Sequence, residues 1–353
     1  MARHAARPAV DGRGVTWRHG RWIAEHPLPI GVVERTTVGR IVNAGDVIAA
    51  GVALGTALRL KGARRFGLPA ADMERELRVP IGSEVTAGTL LARTGRRFPR
   101  VLTAPIDGRL LHLTADGDIY LAPIVGRWIV RSTLDGAVTR SDEAGVTIEG
   151  DAWCIAGAAA YGPDAIGELT LGVTAPTEDL APSRVDVRLG GRIMIGGARV
   201  SAEVLTRAHA CGVSGLVAGG APAAGLRVVY GETVTASGHA GREDRPTVIC
   251  LIAFGSAALP DAIFRPLAAL AGSRAAIHTA SARLFVFAPA DAGAFATDEL
   301  DLVLAPDYAS VRALVARTVN GEVTFPSEVR AGAVRHGDEV VPSANVRPFH
   351  AKR

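Results

Sequence analysis

Residues 28–150 alternate apolar and polar positions in short segments broken by glycine. VGRIVNAGDVIAAG, VPIGSEVTAGTLLA, RVLTAPIDGRLLHL, GDIYLAPI, RWIVRSTLDGAVTR and AGVTIEG are the clearest. A period of two with turn residues between runs predicts short strands, and no long helical period competes with it. Two pieces set a valine between glycines: Gly45-Asp46-Val47 to Gly51, and Gly82-Ser83-Glu84-Val85 to Gly88. Glycine admits the positive φ that such corners require. The stretch TAPIDGRLLHLTADGDIYL (103–121) is echoed by STLDGAVTRSDEAGVTIEG (132–150). Both place Asp-Gly before strand residues, so Asp107 and Asp135 read as turn formers and not as catalytic carboxylates. The second copy is expected to extend or close the same β structure.

The pattern changes over residues 151–300. GGRIMIGG (190–197) and VSGLVAGG (213–220) read as buried strands around a helix in SAEVLTRAHACG (201–212). Ser201 suits its N-cap, Glu203 its first turn and Gly212 its end. Val204, Leu205, Ala208 and Cys211 share one face. This is a βαβ unit with parallel strands. A second unit is expected from TVICLIAFG (247–255), a helix opening at Pro260, and the strands RAAIHTA and RLFVFAP. Pro266 should kink or shorten that helix. Residues 220–246 read as a mobile loop containing a strand, and residues 309–349 as short strands joined by the turns Asn320-Gly321 and His336-Gly337-Asp338.

The segment VPIGSEVTAGTLLARTGRRFPRVLTAPIDGRLLHL resembles the barrel-sandwich hybrid of biotinyl and lipoyl carrier domains. The resemblance implies that fold, and a lysine at the tip of the hairpin if a group is carried. The tip falls in RTGRRFPR, which has arginines and no lysine, and a guanidinium is not acylated. Lys61 lacks the neighbours such hairpins have. No covalent biotin or lipoate, and no other cofactor, is expected. The closing piece Val341-Pro342-Ser343-Ala344-Asn345-Val346 resembles that of an SH3-like barrel of the KOW type, a module that often contacts RNA or ribosomal and transcription proteins. In sequence order the modules resemble a family of uncharacterised bacterial multi-domain proteins, which implies architecture and little mechanism. The fold expected is a multi-domain α+β chain: a basic flexible tail (1–27), a β barrel-sandwich hybrid (28–150), a parallel α/β domain (151–300) and a small SH3-like β-barrel (301–353).

Composition narrows the chemistry. A net charge of +4 does not demand nucleic acid. The three cysteines, Cys154, Cys211 and Cys250, are too scattered for a disulfide framework or a cysteine zinc site, which fits a cytoplasmic location. Two lysines and no glutamine suit a thermophile, and a GC-rich genome accounts for the arginine equally well. No apolar run is long enough for a membrane span, and the Arg-rich start lacks the apolar core of a secretory signal. His209, His239 and His278 have no H-x-x-x-H or H-E-x-x-H spacing, so no metal site is expected. A Ser-His-Asp set would have to assemble in space. No G-x-S-x-G elbow is present.

Two surfaces remain as candidates. Gly196, Gly197, Ser201, Gly219, Gly220, Gly255 and Ser256 lie at strand ends, where backbone N–H groups could hold a small anion. Arg64, Arg65 and Phe66, with Arg96, Arg97 and Phe98, form two RRF tips that could contact a partner. The first reading is a non-enzymatic cytoplasmic adapter binding protein or RNA through its β modules, with the α/β part as spacer or ligand sensor. The alternative is an enzyme, or an accessory subunit of one, with an anion at the glycine turns.

Overall fold

The computed structural model describes residues 17–95, 99–231, 239–240, 244–252, 255–292, 333–336 and 339–342. Among these, twelve strands form one mixed sheet and six form a second. The chain is mostly β with short helices, an α+β arrangement.

The strand Gly145–Ala156 organises the larger sheet. On one side it pairs antiparallel with Arg18–Pro27 along its length, from Arg18 opposite Cys154 to Pro27 opposite Gly145. Its other edge meets Gly136–Ser141 first and Arg283–Phe287 further on. The basic tail expected over residues 1–27 is therefore a paired strand from Arg18 onward. Its arginines mislead, because its inward positions, Ala24 and His26, alternate with the exposed Ile23, Glu25 and Pro27. The domain boundary expected after residue 150 falls inside the Gly145–Ala156 strand. Residues from both sheets share a core there: Ile48, Ala49 and Val130 meet Ala24, Leu134, Ile148, Cys154 and Phe285.

Within the larger sheet, Ala165–Leu171, Arg192–Ile195, Gly215–Ala218 and Val248–Cys250 run parallel, in that order. The expected βαβ unit is present. Ser201 Oγ accepts the Val204 N–H at 3.3 Å, and the helix Ala202–Ala210 buries Val204, Leu205 and Ala208. The second unit departs from expectation. After the helix Asp261–Ala269, with Pro266 inside it, the chain crosses to the far edge of the parallel run. There Arg274–His278 pairs antiparallel with Ala165–Leu171 and then with Arg283–Phe287.

The duplicated Asp-Gly stretch has a structural counterpart in a different register from the one read in the sequence. The matching segments are Gly39–Gly45 and Gly82–Gly88, both of the form G-x-x-V-x-A-G, and all four end glycines have positive φ. Each segment docks on one Asp-Gly turn by the same bonds. Asp135 Oδ1 accepts the Ala44 N–H at 2.6 Å, and Asp107 Oδ1 accepts the Ala87 N–H at 2.7 Å. Gly45 donates to the Ser132 carbonyl and Gly88 to that of Ala104, while Gly39 donates to Val138 and Gly82 to Leu110. The two copies serve different sheets. Gly108–Leu113 belongs to the six-stranded sheet and Gly136–Ser141 to the twelve-stranded one. The second copy thus extends the β structure beyond the first module.

At Gly136 and Gly150 the backbones approach so closely that a Cβ on Gly150 would stand 1.8 Å from the Asp135 carbonyl oxygen. Of the expected C-terminal barrel, the described part is one hairpin, Ala333–His336 with Glu339–Pro342. The rest of 301–353 lies outside the described residues. No helix among the described residues is long and apolar enough to cross a membrane.

Candidate functional site

A cavity of about 570 Å³ opens where the two sheets meet. One wall is the end of the strand Ile119–Arg131, from Arg127 to Arg131; the other is Gly162–Asp164, Ile166, Thr279 and Ala280; His26 and Pro27 complete the lining. Trp128 donates its indole N–H to the Val52 carbonyl at 3.1 Å. Its ring lies against Gly51, where any Cβ would stand 2.3 Å from a ring carbon.

Three chemistry-bearing side chains converge at this cavity from distant parts of the sequence. His26 arrives on the strand Arg18–Pro27, Asp164 on the loop after Ala159–Gly162, and His278 at the end of Arg274–His278. His26 is 1% exposed and His278 2%. His26 Nδ1 faces Asp164 Oδ2 at 3.6 Å, makes no hydrogen bond and is fully buried. Its Nε2 lies 3.4 Å from both the backbone nitrogen and the hydroxyl of Thr133. The two imidazoles meet edge to face, with ring centres 5.0 Å apart. His278 Nδ1 lies 2.6 Å from Ser281 Oγ and its Nε2 3.0 Å from the Glu25 carbonyl. A carbonyl only accepts, so Nε2 carries the proton and Nδ1 accepts from the Ser281 hydroxyl.

The backbone that carries Asp164 is pinned. Asp164 Oδ1 accepts the Thr279 N–H at 2.8 Å, and the hydroxyls of Thr279 and Thr247 both donate to the Pro163 carbonyl. Burial pushes the His278 imidazole down to about 4, against the pull of Asp164, so it is neutral near pH 7. Burial would raise the Asp164 carboxyl; the facing His26 and the Thr279 N–H outweigh it and hold it below its ordinary value.

Ser281, His278 and Asp164 are neighbours without forming a hydrolytic triad. A triad needs the carboxylate on the ring nitrogen opposite the serine. Here that nitrogen holds the Glu25 carbonyl.

The sites expected from sequence are dispersed. Gly196, Gly219 and Gly220 end their strands as expected, whereas Gly255 lies beyond a strand that stops at Cys250; the N–H groups of all four donate to the carbonyls of Val217, Gly197, Ala198 and Ala221. A Cβ at Gly197 would meet the Glu178 carbonyl oxygen, and Ser201 Oγ caps its own helix. Ser256 is exposed. At Gly196, Gly219, Gly220 and Gly255 the donors are thus already engaged by protein. The first RRF tip is a short helix, Gly62–Phe66, and no hairpin tip. Arg64 and Arg65 are exposed, but Phe66 is 3% exposed in a core with Met73 and Leu110, so it presents no stacking face. Arg96, Arg97 and Phe98 lie outside the described residues.

Local spacing carried no sign of His26, Asp164 and His278 as a set. His278 stands out at the end of an apolar strand, but its partner His26 lies at an inward position of a segment whose arginines resemble a tail. Comparison with family models, with curated proteins and with solved structures found no match.

Proposed function

We propose that the chain is a non-enzymatic adapter, in which the cavity between the sheets is a ligand-sensing pocket and the N-terminal β module is the docking face for a protein partner. The observation that carries this reading is the composition of the cavity: one wall comes from each sheet. An occupant therefore touches both and couples them. The wiring of Ser281 and His278 supports a binding role over nucleophilic catalysis, because both ring nitrogens are engaged and the carboxylate lies elsewhere.

A protein partner is favoured over RNA by the surface. Phe66 is buried, while Ile30, Val33, Val38, Ile41 and Val47 expose between 45% and 88% of their area. Arg35 and Arg40, beside Val47, rim a shallow hollow on that side. The paired G-x-x-V-x-A-G turns support reading this module as a barrel-sandwich hybrid that carries no group. Lys61, the only lysine among the described residues, precedes the helix Gly62–Phe66 and sits on no hairpin tip. The KOW-type barrel and a cytoplasmic location belong to the same proposal.

Affinity capture from native extract with the full chain and with Ile30→Glu/Val38→Glu tests the docking face. A defined protein complex retained by the parent and lost by the double variant is the expected result. Retention of RNA that fades with salt, or equal capture by both chains, overturns it.

A further inference from the structure

We propose that His26, Asp164 and His278 form a binding site for a divalent transition-metal ion, zinc being the probe, with an open coordination position facing the cavity between the sheets. Each residue offers one ligand atom, and the three atoms lie within 4.8 Å of one another. Around a zinc ion with bonds of about 2.0–2.1 Å, neighbouring ligand atoms stand roughly 3.3 Å apart. His26 Nδ1 and Asp164 Oδ2 are already at 3.6 Å. Small rotations of the rings close the remaining gap.

The independent observation is the state of His26. Its Nδ1 is buried, faces Asp164 and makes no hydrogen bond. A buried nitrogen held 3.6 Å from its nearest partner is poorly satisfied, and a bound cation satisfies it. Metal at Nδ1 places the ring proton on Nε2, which must then turn from the Thr133 N–H that it accepts to the Thr133 hydroxyl, each 3.4 Å away. Asp164 coordinates through Oδ2 while Oδ1 stays fixed on the Thr279 N–H. His278 gives up one of its two contacts, Ser281 or Glu25, and the other continues to orient the ring. Each ligand thus keeps an outer partner of the kind that fixes metal-binding side chains.

Three protein ligands of two imidazoles and one carboxylate leave a position for water or for a ligand atom, as in catalytic rather than structural sites. That position opens on the cavity, whose lining includes Arg127 and Arg131. Metal and Arg131 together make the pocket favour an anionic occupant, while Arg127 is engaged by Glu84. The site does not rest on the docking proposal: zinc can bind whether or not a protein partner is ever captured.

The test is titration of the metal-free full chain with zinc alone, and with cobalt for its visible spectrum. One ion per chain, a raised Tm and a cobalt spectrum of low coordination number are expected. Asp164→Asn, which keeps the acceptor for Thr279, and His26→Ala should each weaken binding at least a hundredfold, while His209→Ala should not. Circular dichroism checks that each variant is folded, and Asp164→Asn carries the test if His26→Ala does not fold. Absence of zinc binding to the folded parent at micromolar concentration overturns the proposal. So does equal affinity in a folded Asp164→Asn chain.

Discussion

His278 holds its ring between a serine hydroxyl and a backbone carbonyl, and burial keeps that ring uncharged in the folded chain. The unfolded chain has no such restraint. Between the ordinary value of 6.5 and about 4, the unfolded state binds a proton that the native state refuses. Stability is therefore intact above pH 6.5 and falls as the pH drops through that window, by roughly 3 kcal/mol at full expression. Asp164 acts in the same direction at lower pH, because its carboxyl is held low in the fold and its protonation on acidification removes stabilising contacts. Urea midpoints at pH 7 and pH 4.5 measure the effect. His278→Asn should flatten the difference, and an unchanged slope in that variant would show that the charge of another group governs it.

At the scale of elements, the paired turns separate what was legible in the sequence from what was not. The short β strands, the Ser201-capped helix and the first parallel unit follow from period and capping alone. The register of the G-x-x-V-x-A-G repeat did not, because Gly51 imitates a turn glycine. In the structure it clears space for Trp128. The antiparallel return of Arg274–His278 was equally hidden: its apolar run fits either direction of pairing. Asp135 and Asp107 make the same bond to a turn, but Asp135 also pairs with Arg274 of the larger sheet, while Asp107 is exposed. Replacing Asp135 by Ala should therefore cost more than replacing Asp107, about 2–3 against about 1 kcal/mol. Equal losses in chemical denaturation would show that the link to Arg274 contributes nothing.

Across the whole molecule, the candidate site was illegible because it exists only where three distant pieces of chain meet. The fold brings them together by pairing Arg18–Pro27 with Gly145–Ala156 and by sharing one core between the sheets. Removing residues 1–27 would strip the long strand of one neighbour, take Ala24 from the shared core and remove His26. Such a truncation should lower Tm by well over 10 °C or prevent folding, rather than trim an inert tail. A Tm within a few degrees of the parent would contradict this. The pairing also sets an order of events during synthesis. The strand Arg18–Pro27 stays without its partner until residues 145–154 follow, and the site is incomplete until His278 is made. Contacts so distant along the chain slow folding. Trp22 and Ile23 stay unpaired until Gly150 and Glu149 are made, so a nascent-chain chaperone should raise the yield of folded chain.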